Sequence, residues 1–320
     1  MEALLTGLRA AAEPTRLRLL ALCGHAELTV SELTQILGQS QPRVSRHLKL
    51  LCDAGLLDRH REGTWAFYRA ASTGEGAPLA RTLIDSIPAD DATLTRDLGR
   101  LDGVKRARAD AAAEYFRVNA GRWNEIRSLH VPEEDVEHAL LELIDGMEIS
   151  DLLDVGTGTG RILQLLGSRV GRGIGVDLSR EMMSVARSAL EEAGLSNCQI
   201  RLGDMYNLPI DDASMKVVTL HQVLHFADVP ADVLAESARV LEPGGQLIAI
   251  DFAPHALESL REDHAHRRLG FSDDEVAGWY GAAGLELKAP VRLEGDPLTV
   301  VLWPGVRMTA QEQKRQKSAA

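Results

Sequence analysis

In the second half of the chain, acids and glycines are spaced to hold a nucleoside. The run Asp154-Val155-Gly156-Thr157-Gly158-Thr159-Gly160 follows an apolar stretch over 151–155 and precedes a helical one over 161–166. Glycines let a backbone approach a ligand closely, and the N-terminus of the next helix offers free N–H groups to a carboxylate. A second strand over 173–176 ends at Asp177. An acid about twenty residues beyond a glycine loop can take both ribose hydroxyls. A third strand over 199–202 ends at Gly203-Asp204-Met205, where a carboxylate can accept from an adenine amino group. His221 and His225 follow a fourth strand over 215–220. A histidine titrates near neutrality and can take an acceptor's proton. It can equally cap a helix or pack beneath a ligand.

The first half carries a different chemistry. In Ser40-Gln41-Pro42-Arg43-Val44-Ser45-Arg46-His47-Leu48-Lys49-Leu50-Leu51, the apolar residues Val44, Leu48 and Leu51 form one helical face. Gln41, Arg43, Ser45, Arg46 and Lys49 fall mostly elsewhere on the surface. Ser40 is a suitable N-cap, and Pro42 belongs in a first turn, where its missing N–H costs nothing. Such a helix suits insertion into the major groove of DNA, although a solvated helical bundle has the same pattern.

These residues need elements to hold them. Helices are expected from Pro14 to about His25 and over 30–37, where Gly38 is the stop. After the reading helix, strands over 56–60 and 65–69 form a hairpin, which makes the segment a winged helix-turn-helix. Helices broken near Pro88 and Pro132 then form a connector, with Leu79, Leu83, Ile84 and Ile87 as one apolar stripe and Tyr115, Phe116 and Trp123 as an aromatic group. From Asp151 strands alternate with helices, the pattern of a doubly wound parallel sheet. Its fifth strand, over 246–251, follows a turn at Leu241-Glu242-Pro243-Gly244-Gly245. The expected organisation is multidomain: a winged helix over 1–88, a helical connector over 89–143, a Rossmann-like α/β domain over 144–304 and a disordered polar tail over 305–320.

Composition narrows the classes. The chain has 320 residues, 26% of them charged and 45% hydrophobic, as in ordinary globular proteins. No apolar run is long enough for a membrane span, and the start does not read as a signal peptide. Cys23, Cys52 and Cys198 are the only cysteines, which offers no disulfide framework and fits a reducing cytoplasm. The net charge of −12 divides unevenly, since the segment up to Arg69 carries nine basic and seven acidic residues. An acidic body would focus DNA binding onto the N-terminal part.

The run EPTRLRLLALC…LTVSELTQILGQSQPRVSRHLKLLCDAGLLDRHREGTWAFYRA resembles the ArsR/SmtB family of dimeric bacterial repressors. The resemblance implies a homodimer on double-stranded operator DNA. It turns Gln41, Arg43, Ser45, Arg46, His47 and Lys49 toward DNA and puts Arg59 and Arg61 at or near the wing. Members of this family often sense metals through cysteine pairs in the helix before the reading helix. Here that helix has none, so no metal is expected and an effector must enter elsewhere.

The elements DVGTGTG, GVDLS, GDMYNLP and LEPGGQL, in that order, resemble the class I, UbiE-like, S-adenosylmethionine-dependent methyltransferases. By that resemblance Asp154, Gly156, Gly158 and Gly160 hold the methionine end and Asp177 the ribose. Leu178 and Met205 flank the adenine, Asp204 binds its amino group, His221 lies beside the ligand, and Tyr115 and Trp123 belong to a helix that lids the site. His221 and His225 are acceptor-side candidates for catalysis. Arsenic methyltransferases of this fold use several cysteines as metalloid ligands; this half has only Cys198, which argues against an arsenic substrate. Two functions follow: a regulator with S-adenosylmethionine or S-adenosylhomocysteine as effector, tied to methionine or methylation-cycle genes, or an active methyltransferase of an unknown small-molecule acceptor with an autoregulatory DNA-binding part.

Overall fold

The computed structural model describes residues 1–62, 64–71, 74–120, 123 and 132–309. The chain divides into two compact units, Met1–Ala111 and Ala112–Ala320. The expected connector over 89–143 is therefore not a body of its own, because its residues are shared between the two units.

The first unit contains helices α1 (Glu2–Ala11), α2 (Pro14–His25), α3 (Val30–Leu37), α4 (Gln41–Asp53) and α5 (Ala77–Asp85), and the first part of α6 (Ala92–Asn119). Pro14 sits at the start of α2, where Glu13 accepts the Arg16 N–H with its side chain. The helix α3 spans the residues its pattern predicts. Thr29 and Glu32 close a reciprocal capping box at its start, and Gly38 ends it in the left-handed region at φ 66°. Replacing Thr29 with Ala is expected to lower the stability of this unit by about 1 kcal/mol, measured by urea unfolding. Ser40 does stand at the N-cap position of α4, yet its hydroxyl makes no capping bond. The hairpin strands are longer than expected, β2 (Leu57–Glu62) and β3 (Trp65–Ala70), and the short strand β1 (Leu28–Thr29) adds to the free side of β3.

Val44, Leu48 and Leu51 of α4 are buried with Leu19, Leu20 and Leu33, and Leu101 and Val104 of α6 join the same core. Polar contacts fix α6 to this core. Arg18 forks onto the buried Asp97 at 2.5 and 2.8 Å, Arg100 donates to the carbonyl of Ile36, and Arg108 pairs with Glu32. Arg100 thus serves an orphan carbonyl near the C-terminus of α3, where a cation also favours the helix dipole.

In the second unit, α7 (Glu133–Leu143) precedes strand β4 (Ile149–Val155), followed by α8 (Arg161–Leu166), β5 (Val170–Asp177), α9 (Arg180–Glu192), β6 (Cys198–Leu202) and β7 (Met215–His221). Next come α10 (Pro230–Val240), β8 (Leu241–Phe252), α11 (Ser259–His264), α12 (Asp273–Ala282) and strands β9 (Leu285–Leu287), β10 (Val291–Glu294) and β11 (Thr299–Arg307). The strand order is β10-β11-β8-β7-β4-β5-β6, with β9 also paired to β11. The strands β6, β5, β4, β7 and β8 run parallel, while β11 is antiparallel to β8. Their order reverses at β4, which makes its carboxyl end the switch-point crevice where ligands of open α/β sheets bind.

Both faces of the sheet are covered, as the near-continuous apolar strands require. Alternation sends Leu153 and Val155 of β4 to one core and Leu152 to the other. The Leu241–Gly245 segment, expected as a turn before the fifth strand, is drawn into β8 as an irregularity: Met215 pairs Leu241 and Val217 pairs Gln246. The expected boundary after residue 304 also moves. Gly305 to Arg307 belong to β11, where Val306 pairs Gln246 and Arg307 pairs Leu285. A strand's ladder, not its local polarity, decides where it ends. The rest of the expected tail, 310–320, lies outside the described residues.

Candidate functional site

The glycine loop leaves β4 and lies across the end of β5. Gly156 and Thr157 both donate backbone N–H groups to Val176, at 2.8 and 3.0 Å. Gly156, Gly158 and Gly160 all have positive φ, 67°, 52° and 79°. At Gly156 a Cβ would stand 2.3 Å from Val223 Cγ2, and at Gly158 it would stand 3.3 Å from the Trp123 indole nitrogen. A side chain at either glycine would press on Val223 or Trp123, so the loop packs closely beneath these two residues, and α8 begins beside it at Arg161.

Asp177 ends β5 and aims its carboxylate at the glycine loop. One oxygen accepts from Gly158 N and the other from Ser179 N, both at 2.8 Å. Burial pushes its pKa up from the ordinary value, while the backbone donors Ser179, Gly158 and Leu178 pull it down. Its carbonyl takes Gly203 N–H, which ties the end of β6 to the same rim. Leu178 is 63% exposed, a free apolar platform beside that rim. Asp204 is exposed and accepts from Tyr206 N at 3.0 Å, and Met205 packs its side chain on the core of the unit. Asp154 lies deeper: it is 2% exposed and accepts from Thr219 Oγ1 at 2.7 Å, so part of its carboxylate braces the sheet beneath the loop.

In the first unit, Gln41, Arg43, Ser45, Arg46 and Lys49 are exposed on α4 while its apolar stripe is buried. His47 differs. It is partly covered, with Nδ1 3.7 Å from Glu13 at the start of α2, so it is turned toward the protein more than its neighbours are. Arg59 and Arg61 alternate with His60 on β2 and are exposed. At the tip of the hairpin Trp65 is 41% exposed, a large ring that the sequence reading did not single out.

Residues 13–59 match the family model "Bacterial regulatory protein, arsR family", and residues 153–249 match "Methyltransferase domain". This chain joins an ArsR-type helix-turn-helix to a methyltransferase domain. An arsenite methyltransferase of Aquipseudomonas alcaligenes is 32% identical over 164 residues, 42% of this chain and 46% of that protein. Nocamycin O-methyltransferase of Saccharothrix syringae is 37% identical over 116 residues, 35% of this chain and 41% of that protein. The chain thus spans less than half the length of either relative. Among solved structures, YcgJ of Bacillus subtilis superposes with a TM-score of 0.50 at 20% identity, covering 55% of this chain and 100% of that one, a likeness of fold.

The methyltransferase unit holds a second cluster on the carboxyl ends of β7 and β8. His225, in the turn Leu224–Phe226 after β7, places Nδ1 2.8 Å from Asp251 Oδ1. Asp251 also accepts the backbone N–H groups of His225 and Phe252, and both side chains are almost wholly buried. His221 is separate from this pair: its Nε2 lies 3.8 Å from Glu133 at the start of α7. Between them Gln222 has a positive φ of 52°. A non-glycine residue held in the left-handed region is strained and often marks a functional turn.

Tyr115 bonds His264 Nδ1 through its hydroxyl at 2.8 Å. Trp123 packs edge-on against Phe116 and tilted against Phe226. Sequence reasoning missed Asp251, Gln222, His264 and His266. Asp251 could have been noticed as an acid ending a parallel strand, whereas the two histidines lie in a segment without periodic signal. Among the described residues no cluster of His, Cys, Asp or Glu could hold a metal ion. No described helix is long and apolar enough to cross a membrane.

Proposed function

We propose that this chain is a transcription regulator, a repressor that binds operator DNA as a homodimer, with S-adenosylmethionine or S-adenosylhomocysteine as its effector. The observation that carries this reading is the positive-φ glycine loop tied to Asp177, in a chain whose α4 also exposes Gln41, Arg43, Ser45, Arg46 and Lys49. S-adenosylmethionine fits the residues present. Its carboxylate would lie at the loop and the start of α8, with Asp154 bracing the loop from below. Its ribose hydroxyls would take Asp177. The adenine would lie between Leu178 and Met205, with its amino group on Asp204. His221, Tyr115 and Trp123 would border the ligand. On the DNA, α4 would occupy the major groove, with Arg59 and Arg61 of the hairpin near the backbone. Target genes would be those of methionine synthesis or the methylation cycle, whose products set the two effector levels.

The test is fluorescence anisotropy on DNA upstream of the gene, at fixed salt, with no ligand, S-adenosylmethionine or S-adenosylhomocysteine. One ligand is expected to shift Kd about tenfold, roughly 1.4 kcal/mol. Equal affinity in all three conditions rejects the sensor.

The cofactor reading has a pH signature. A ribose hydroxyl donates better to a carboxylate than to a carboxylic acid, and burial raises the pKa of Asp177. Affinity is therefore full above this raised pKa and falls as pH drops through it, at higher pH than an ordinary aspartate would give. Below it, each pH unit costs up to about tenfold. Calorimetry with S-adenosylhomocysteine checks this, and Asp177→Asn should bind weakly with no such slope.

A second reading, catalysis with autoregulation, is favoured by the His225–Asp251 pair. The arsenite activity of one relative does not carry over to it. The sole cysteine of the unit, Cys198, packs against Gly167 and Gly173 at the amino end of β6, away from the carboxyl edge of the sheet.

A further inference from the structure

We propose that helix α6 is the element through which cofactor occupancy reaches the reading helix α4. This rests on the sensor reading and names the route by which that site regulates DNA binding.

α6 (Ala92–Asn119) is one helix whose two ends have different attachments. Its residues up to Ala111 belong to the first compact unit and the remainder to the second. In the first unit, Asp97, Arg100, Leu101, Val104 and Arg108 recur three and four apart and so share one face of the helix. Leu101 and Val104 are buried in the core that also holds Leu33 and Ile36 of α3 and Val44 and Leu48 of α4. The polar residues of this face grip the neighbouring helices. Asp97 takes the fork of Arg18 from α2. Arg100 and Arg108 hold α3 at both of its ends. Arg100 donates to the Ile36 carbonyl at 2.8 Å, and Arg108 Nε donates to Glu32 Oε1 at 2.8 Å. Glu32 also closes the capping box on Thr29, so Arg108 acts on the turn that starts α3. A shift of α6 therefore carries α3 with it, and α3 shares its close-packed core with α4.

In the second unit, the other end of α6 is set among rings beside the glycine loop. Tyr115 bonds His264 Nδ1 at 2.8 Å, and Phe116 meets Phe226 edge to face at 4.8 Å. Both rings also meet Trp123, with centroids 6.3 and 5.4 Å away. A Cβ at Gly158 would stand 3.3 Å from the Trp123 indole nitrogen. A cofactor in the cradle of the glycine loop and Asp177 shares that space with Trp123. Any displacement of the indole falls on Phe116 and Tyr115, because packed side chains have little slack.

The stretch between the two sets of contacts suits transmission. Residues 107–114 hold five alanines and neither glycine nor proline. Alanine is the strongest helix former, and such a stretch acts as a semi-rigid spacer, not a flexible tether. A displacement at Tyr115 and Phe116 is thus delivered to Arg108 and Arg100. The cofactor favours one seating of α3 over another, and the difference in DNA affinity between the two seatings is the response.

The test uses the full chain, DNA from upstream of the gene, and S-adenosylmethionine and S-adenosylhomocysteine as ligands. Ala111→Pro puts a helix breaker between the two sets of contacts, since the ring removes one N–H and crowds the carbonyl of residue 107. Ala111 is exposed, so the substitution leaves both cores intact. The ligand Kd by calorimetry and the ligand-free DNA Kd by anisotropy are expected to stay within about threefold of wild type, while the ligand-induced shift in DNA Kd falls from about tenfold to less than about twofold. A variant that binds both and keeps the full shift overturns this route and leaves the sensor reading standing. A wild type whose DNA affinity ignores both ligands overturns the sensor reading, and this route with it. Should Ala111→Pro fail to fold, Arg108→Gln decides, compared with Arg106→Gln at an exposed position of the same helix. Each removes one positive charge, so general attraction to DNA falls alike in both. Only Arg108→Gln should lose most of the ligand response, and equal responses in the two variants overturn the assignment.

Discussion

Asp177→Ala is expected to weaken S-adenosylmethionine and S-adenosylhomocysteine binding by at least about a hundredfold. Two ribose hydroxyls on one carboxylate make charge-assisted hydrogen bonds, each contributing about 1.5–3 kcal/mol. The same carboxylate holds Gly158 N and Ser179 N, so its removal also frees the loop that shapes the cradle. Both effects act in the same direction. DNA binding without effector should remain, because the reading helix belongs to the other compact unit. What should vanish is the response: at effector concentrations that shift wild-type affinity, the variant's anisotropy curve should not move. Calorimetry and anisotropy together decide this. Unchanged cofactor affinity rejects the ribose role of Asp177, and a retained response with lost affinity rejects the cradle as the effector's entry point.

Arg43→Ala together with Arg46→Ala is the second large effect. Both side chains are exposed on α4 beside a fully buried apolar stripe, so their removal leaves the core intact. A base-edge or phosphate contact from arginine contributes about 1–3 kcal/mol, so the pair should cost on the order of a hundredfold or more in operator affinity. The salt dependence separates the two kinds of contact. If both arginines touch phosphate, the slope of log K against log salt falls by about 1 for each, and all sequences lose equally. If one reads a base, discrimination between operator and random DNA falls as well. Preserved affinity with a native thermal melt would exclude α4 as the reading element. Unlike these arginines, His47 has Glu13 nearby, and its replacement is expected to matter less on DNA than the original family pattern implies.

Much of this architecture is legible in the sequence. Periodicity placed α3 and α8 at their observed bounds, because each is short, amphipathic and closed by a specific signal: Gly38 at the end of one, the glycine loop before the other. Apolar runs placed the buried centres of β4, β5 and β7, since strands covered on both faces do not alternate, while the first residues of β4 and β5 fell outside the expected bounds. The elements that sequence missed are held by pairing rather than by pattern. The strand β1 has two residues and exists because Leu28 and Thr29 find Tyr68 and Phe67. Gly305, Val306 and Arg307 look like the start of a polar tail, but β8 and β9 give them partners.

The sequence by itself determined the chemistry that is local: the glycine loop, the acid that follows it at the end of β5, and a reading helix with one buried face. Those features depend on spacing along the chain, and backbone geometry turns spacing directly into shape. Only the tertiary structure decided which distant groups meet. His225 and Asp251 are neighbours because β7 and β8 are adjacent parallel strands that end at the same edge. Trp123 stands over Gly158 through folding alone. Asp154 carries the same side chain type as Asp177, yet its bond to Thr219 puts it under the sheet's end while Asp177 faces the glycine loop. Hydrogen-bond partners and burial, which come from long-range packing, separate a carboxylate that braces the sheet from one that holds the glycine loop, and spacing along the chain does not encode them.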